Sequence, residues 1–229
     1  MVDANINDMN IPDLLLPSYI LLPANLLAAL LLASCVRYAP WRRLGETWLQ
    51  HLWLASCVTL MLIWSVKAGV RPGLNFHLLG ATLLTLMFGP RLAITALAAV
   101  LLGVTLSGAS GWETLGLNLL LMAALPTLFS YAIYSQAHHK LPNHLFVYIF
   151  VDAFFAAGLA MCLSGLAATI VFAFGGAYSL DYLGSNYLTY FIMMGWSEAL
   201  FTGMAITMMV AFRPEWLVTF SDRRYLKIK

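Results

Sequence analysis

The sequence predicts an all-α fold: a polytopic membrane helix bundle of about seven transmembrane helices, N-terminus outside and C-terminus cytoplasmic. Three observations predict it. Of 229 residues, 62% are hydrophobic and only 10% charged, where a soluble domain carries about 25% charged residues. The apolar residues fall in seven runs near the ~20-residue length that a bilayer requires. The lysines and arginines gather in alternate gaps between those runs, as the positive-inside rule demands.

The elements follow in order. Residues 1–13 form an acidic N-terminal tail, with Asp3, Asp8 and Asp13, that suits translocation and dips toward the bundle. Pro12 fixes a turn and holds Ile11 extended, and Asp13 is expected to cap the helix that follows it. No basic residue precedes the first run, which continues to spanning length, so it is a retained helix rather than a cleaved signal. The spans are expected at 14–36, 47–66, 74–88, 91–108, 113–136, 145–175 and 187–212. Gly89-Pro90 separates the third from the fourth by a tight turn. The sixth run exceeds the bilayer, so "FGGAYSLDYLG" is expected outside as a loop. The transmembrane domain thus covers 14–213, and 214–229 is a basic cytoplasmic tail. In this count Arg37, Arg42, Arg43, Arg91, Lys140, Arg213, Arg223, Arg224, Lys227 and Lys229 share one side. Of the 12 basic residues only Lys67 and Arg71 lie on the other. Ala24 with Ala28, and Ala29 with Ala33, are small residues at the spacing that lets helices approach closely. Cys35, Cys57 and Cys162 lie inside apolar runs without CxxC spacing and are expected as buried small hydrophobes.

Ionisable groups at membrane depth are costly and mark a bundle interior or a cavity. Glu198 lies mid-span in the last run, Asp152 about two turns into the sixth, and His77 at the start of the third. Glu198 and Asp152 are expected to tie helices together, and Asn118 adds hydrogen-bonding capacity. His138, His139 and His144 share the loop "AHHKLPNH". So spaced they suit weak capture of Zn, Ni or Cu, though a solvated loop is the plainer expectation. There is no GxSxG, HExxH or P-loop, so the chain is not expected to be an enzyme, and ATP-driven work belongs to another subunit.

Four segments in order resemble the CbiM/NikM family, the cobalt and nickel substrate-binding membrane components of energy-coupling-factor transporters. They are "MNIPDLLLP", "NFHLLGATLLTLMFGPRLAITALAAVLL", "GWETLGLNLLLMAALP" and "MMGWSEALFTGMAITMMVAFRPEWL". The resemblance covers residues 9–217. It implies a site in which the amine and amide nitrogens of an opening Met-His pair, that histidine, and a second histidine bind Ni²⁺ or Co²⁺. Carried over, the metal positions are Met9, Asn10 and His77, with Asn118, Glu198 and Asp152 supporting them or tying helices. This chain departs from the pattern. Met9 follows eight residues, so its nitrogen is an amide, and Asn10 stands where the family has histidine. Imidazole suits nickel, whereas an amide oxygen suits harder ions.

The resemblance implies a substrate-binding component for a nickel- or cobalt-class ion, or a small metal complex, in a bacterial inner membrane. Its partners are the lipid bilayer, a transmembrane coupling subunit and ATPase subunits, with no nucleic acid. No firm cofactor is expected beyond a bound Ni or Co ion as substrate. The alternative is a structural or accessory membrane protein that keeps the fold without metal transport. An intramembrane enzyme built on His77, Asp152 and Glu198 is a third reading that nothing in their spacing requires.

Overall fold

The computed structural model describes residues 11–65, 68–71 and 74–225. Among the described residues five helices are long and apolar enough to cross a membrane: α1 (Ser18–Tyr38), α2 (Thr47–Ser65), α5 (Leu115–Lys140), α6 (Val147–Phe174) and α7 (Leu180–Phe212). Between them in the chain lie α3 (Ala81–Phe88) and α4 (Pro90–Leu106). A short hairpin, β1 (Ala68–Arg71) with β2 (Leu74–Phe76), precedes α3; its antiparallel register pairs Ala68 with Phe76 and Gly69 with Asn75.

Local chemistry explains the breaks. Pro126 removes one amide from α5, and the helix widens to a π turn over Leu120–Ala124 just before it. Gly176 turns the chain at φ 69° after α6, and the Ser179 side chain accepts from the Tyr182 amide to start α7. The seventh helix therefore begins at Leu180, within the segment expected to be a loop. Likewise α5 runs on to Lys140 and carries His138 and His139 in its last turn, so only His144 of the expected histidine loop lies beyond it. The third span departs most. Only Ala81–Phe88 is helical, while residues 74–80 are extended or irregular and almost wholly buried. Non-helical backbone is tolerated at membrane depth when protein surrounds it.

The core centres on α3, all eight residues of which are buried. Around it pack α4, α5, α6 and α7. Between α6 and α7 the backbones nearly touch. A Cβ on Gly158 would stand 3.0 Å from the Gly195 carbonyl, and one on Gly195 would stand 3.0 Å from that of Gly158. This is close approach through small residues, the usual currency of helix association in lipid. α1 and α2 lie at the periphery; Leu22, Leu26, Leu30 and Leu62 point outward, as do Ile192, Met193 and Phe212 of α7. So much exposed hydrocarbon is a face for lipid.

The terminal segments dock at opposite ends of the bundle. Residues 11–13 meet residues 111–118 beyond the C-terminus of α4. Val218 and Thr219 donate their amides to the Met87 and Leu86 carbonyls, just before its N-terminus. The length of α4, roughly 25 Å, separates the two. The stretch set apart as a tail at 214 is thus packed in its described part: Leu217, Phe220 and Tyr225 are buried.

Candidate functional site

At the N-terminal end, polar side chains fix the start of the described chain. Ile11 is fully buried. Its amide donates to Asn118 Oδ1 at 3.2 Å, and Asn118 Nδ2 donates back to its carbonyl at 3.3 Å. The Thr114 hydroxyl donates to the same carbonyl at 2.6 Å. Asn118, itself fully buried, reads the Ile11 backbone as a neighbouring strand would. Asp13 does not cap α1, which starts five residues later behind Pro17. Its carboxylate instead accepts from the amides of Trp112, Glu113 and Thr114 at 3.0, 2.9 and 3.2 Å. These amides form the turn that leads into α5, so Asp13 holds that turn, while Asn25 Oδ1 accepts from the Gly116 amide in the first turn of the helix itself at 2.8 Å. Leu14 takes the left-handed conformation (φ 66°) in the intervening turn. Such a strain of order 1–3 kcal/mol persists only where surrounding bonds over-determine it.

His77 lies in the buried, irregular stretch between β2 and α3. Its ring packs on Trp64 with centroids 4.6 Å apart, and its Nδ1 stands 3.2 Å from the Leu78 carbonyl. Trp64 is buried, and its indole N–H has no acceptor among the described residues. Three residues after His77 the chain turns at Gly80, φ 66°. Glycine fits there twice over: the left-handed region favours it, and a Cβ would strike Leu60. Glu198, 2% exposed, reaches in from α7. Its two carboxylate oxygens accept from the Leu79 and Gly80 amides at 2.8 and 2.7 Å. Glu198 therefore ties α7 to the start of α3 and holds the backbone that carries His77.

At the C-terminal end, Thr219 is the junction. Its hydroxyl donates to the Leu86 carbonyl at 2.8 Å and lies 2.7 Å from the Tyr148 hydroxyl, while Tyr134 donates to its carbonyl. The rings of Tyr148, Phe220 and Tyr225 close over it. Asp152 lies one turn from Tyr148 on α6. It is buried, but its Oδ1 meets no hydrogen-bond partner among the described residues. That oxygen ties no helices together.

The structure therefore puts Asn118 on the Ile11 backbone, Glu198 on the His77 segment, and Asp152 at the far end. Met9 and Asn10 lie outside the described residues. Among the described residues, no group of three or more His, Cys, Asp or Glu could hold a metal ion. The 138–144 histidines are no exception: His138 and His139 meet edge to face, and His144 Nδ1 accepts from the Phe146 amide. Sequence reasoning missed Trp64 and Thr114. Thr114, just before the apolar run at Leu115, carries the signature of a helix start. Trp64 gave no signal, because its partner is 13 residues away across a hairpin.

Two crystal structures of transition metal transporters, one of them truncated, superpose on this fold with a TM-score of 0.75 each, at 18% sequence identity. They align over 88% of this chain and over 98% and 92% of theirs. At that identity the likeness speaks for the fold alone. No curated protein sequence matches the chain. A family model for the cobalt uptake substrate-specific transmembrane region matches residues 10–216, which include the His77 segment, the Asn118 helix and Glu198. The chain therefore belongs to the CbiM family and is a multi-pass membrane component of metal uptake rather than an enzyme.

Proposed function

We propose that the chain captures a transition-metal ion of the nickel–cobalt class, or a small complex of one, at the N-terminal end of its bundle. In this reading that end faces outward, the arginine-rich end faces the cytoplasm of a bacterium, and a coupling subunit with separate ATPases drives uptake. One observation carries the proposal: polar side chains immobilise two otherwise irregular segments. Asn118, Thr114 and Asp13 hold residues 11–13, and Glu198 holds residues 79–80. Each clamp sets backbone that lies outside a regular helix, residues 11–13 in one case and residues 79–80 in the other. Each fixes backbone next to a position that the family resemblance assigns to metal: Asn10, one peptide bond from Ile11, and His77. A protein site gains selectivity by holding donors in a fixed geometry.

The donor set of this chain is weaker than the family's, since Asn10 replaces an imidazole. The native chain is expected to bind Ni²⁺ weakly by calorimetry in detergent. A variant that starts at Met9 and carries Asn10→His gains a free amine and an imidazole together. It should bind Ni²⁺ as a yellow, square-planar complex, and His77→Ala should weaken that binding. Asn10→His without trimming should rescue only in part. Tight Ni²⁺ binding by the unmodified chain that His77→Ala leaves unchanged would overturn the assignment. If the doubly altered variant binds no metal, the accessory role is favoured, a reading that Asn10 itself supports.

A further inference from the structure

A groove of about 560 Å³ runs along the outside of the bundle between α1, α4 and α5. Ala28, Ala29, Leu32, Ala98, Leu102 and Leu119 form its walls. The few polar side chains along it are spent on the protein itself. Asn25 bonds the Glu113 carbonyl and the Gly116 amide. Trp41 donates to the Val36 carbonyl, and both Trp53 and Thr95 donate to that of Leu92. Only the Trp112 indole N–H, at the far end of the groove, has no acceptor among the described residues, so along its length hydrocarbon is the chemistry the groove accepts. From Asn25 to Val36 it follows α1 for roughly 16 Å, about half of the ~30 Å hydrocarbon thickness. That is the depth of one leaflet.

The groove ends at Trp41, and beyond it the chemistry changes sign. Pro40, the neighbour of Trp41, borders a second cleft of about 460 Å³ that Arg43, Arg91, Tyr131 and Tyr134 also line. The N-terminus of α4, at Gly89-Pro90, faces the same cleft and adds the positive end of its dipole. Arg37 lies over the Tyr38 ring at 5.6 Å, and Arg91 donates to the Tyr38 carbonyl. Among the described residues the one ion pair is Arg213 with Glu215, so Arg37, Arg42, Arg43 and Arg91 have no carboxylate partner. Glu46, the acid in this turn, accepts from the Trp48 indole. An apolar channel one leaflet deep that opens at arginines without a carboxylate partner suits an acyl chain beneath an anionic headgroup. We propose that the groove holds an acyl chain of an anionic phospholipid whose phosphate sits against Arg43 and Arg91. Basic pockets between membrane helices at the positive face recognise such headgroups.

The test uses the full chain in a neutral detergent, titrated with phosphatidylglycerol, with phosphatidylcholine of identical chains, or with glycerol 3-phosphate. Phosphatidylglycerol at saturating excess is expected to raise the unfolding midpoint by roughly 5 °C or more; the other two should leave it nearly unmoved. Arg42→Gln with Arg43→Gln should reduce the effect to that of phosphatidylcholine. Ala99→Phe, which fills the groove from α4, should abolish it; if that variant does not fold, Ala29→Phe fills the groove from α1. Arg91 is left intact because it also holds the end of α1. Equal stabilisation by both lipids would overturn the proposal, as would full stabilisation by glycerol 3-phosphate alone. An effect that survives the filled groove would overturn it too and leave the groove to a helix of a partner subunit.

Discussion

Glu198 does its work as an acceptor. Burying a carboxylate among helices is costly, and the compensation here is two short hydrogen bonds to backbone amides that have no other acceptor shown. The side chain also substitutes for the missing cap of α3, whose own N-cap residue, Gly80, has no side chain to offer. Glu198→Ala is therefore expected to lower stability by about 1–3 kcal/mol for each amide it strands, with a void added. Thermal unfolding in detergent measures this. Glu198→Gln keeps one acceptor oxygen and should fall between parent and Ala. A variant as stable as the parent would show that the amides find other acceptors.

The clearest result for whole elements is that helix starts are satisfied from far along the chain. α5 begins on the Asn25 side chain, and the turn leading into it is held by the Asp13 carboxylate some 100 residues upstream, so Asp13→Ala should loosen that turn and leave α1 untouched. The loss should be about 1 kcal/mol. Hydrogen exchange would read it directly: amides 112–114 should exchange faster, and those at the start of α1 should not change. Faster exchange at residues 18–21 instead would restore the local cap that the Pro-Asp pair suggests. This contrast also explains what the sequence could disclose. Lipid forces a spanning helix to satisfy its backbone within about 20 consecutive residues, so α1, α2, α4, α5 and α6 lie within four residues of expectation at each end. The segment 74–80 satisfies its backbone through Glu198 and a hairpin, and no window of sequence contains both partners. Asn118 and Glu198 were visible as polar groups in apolar runs, yet their acceptor and donor partners, Ile11 and Gly80, were not. His77 stood out chiefly through the family resemblance. Nothing in the sequence pairs it with Trp64.

For the whole molecule, the terminal segments close opposite ends of one bundle, and the arginines of α1, the following turn and α4 gather at the C-terminal end. That arrangement predicts an odd number of crossings. With the positive-inside rule, the C-terminal end should face the cytoplasm. A reporter fused after Lys229 should be active as a cytoplasmic reporter, and one fused ahead of Asp3 as a periplasmic one. Both ends on one face would exclude seven crossings. Arg37, Arg42, Arg43 and Arg91 would then serve twice, once in fixing orientation during insertion and again in holding the headgroup of a lipid.

α3 also constrains how the protein is made. Eight residues of helix reach only ~12 Å, too short for an insertion machinery to recognise as a span. Its ends cannot enter lipid with bare amides and carbonyls. The acceptor for Gly80 is synthesised 118 residues later, and the donor to Leu86 133 residues later. Until the ribosome has passed Thr219, the segment that carries His77 has no finished place in the membrane. Its last assembly step therefore waits until Thr219 has been made, and a chain that stalls before residue 198 would leave this short helix unanchored for quality-control proteases to find.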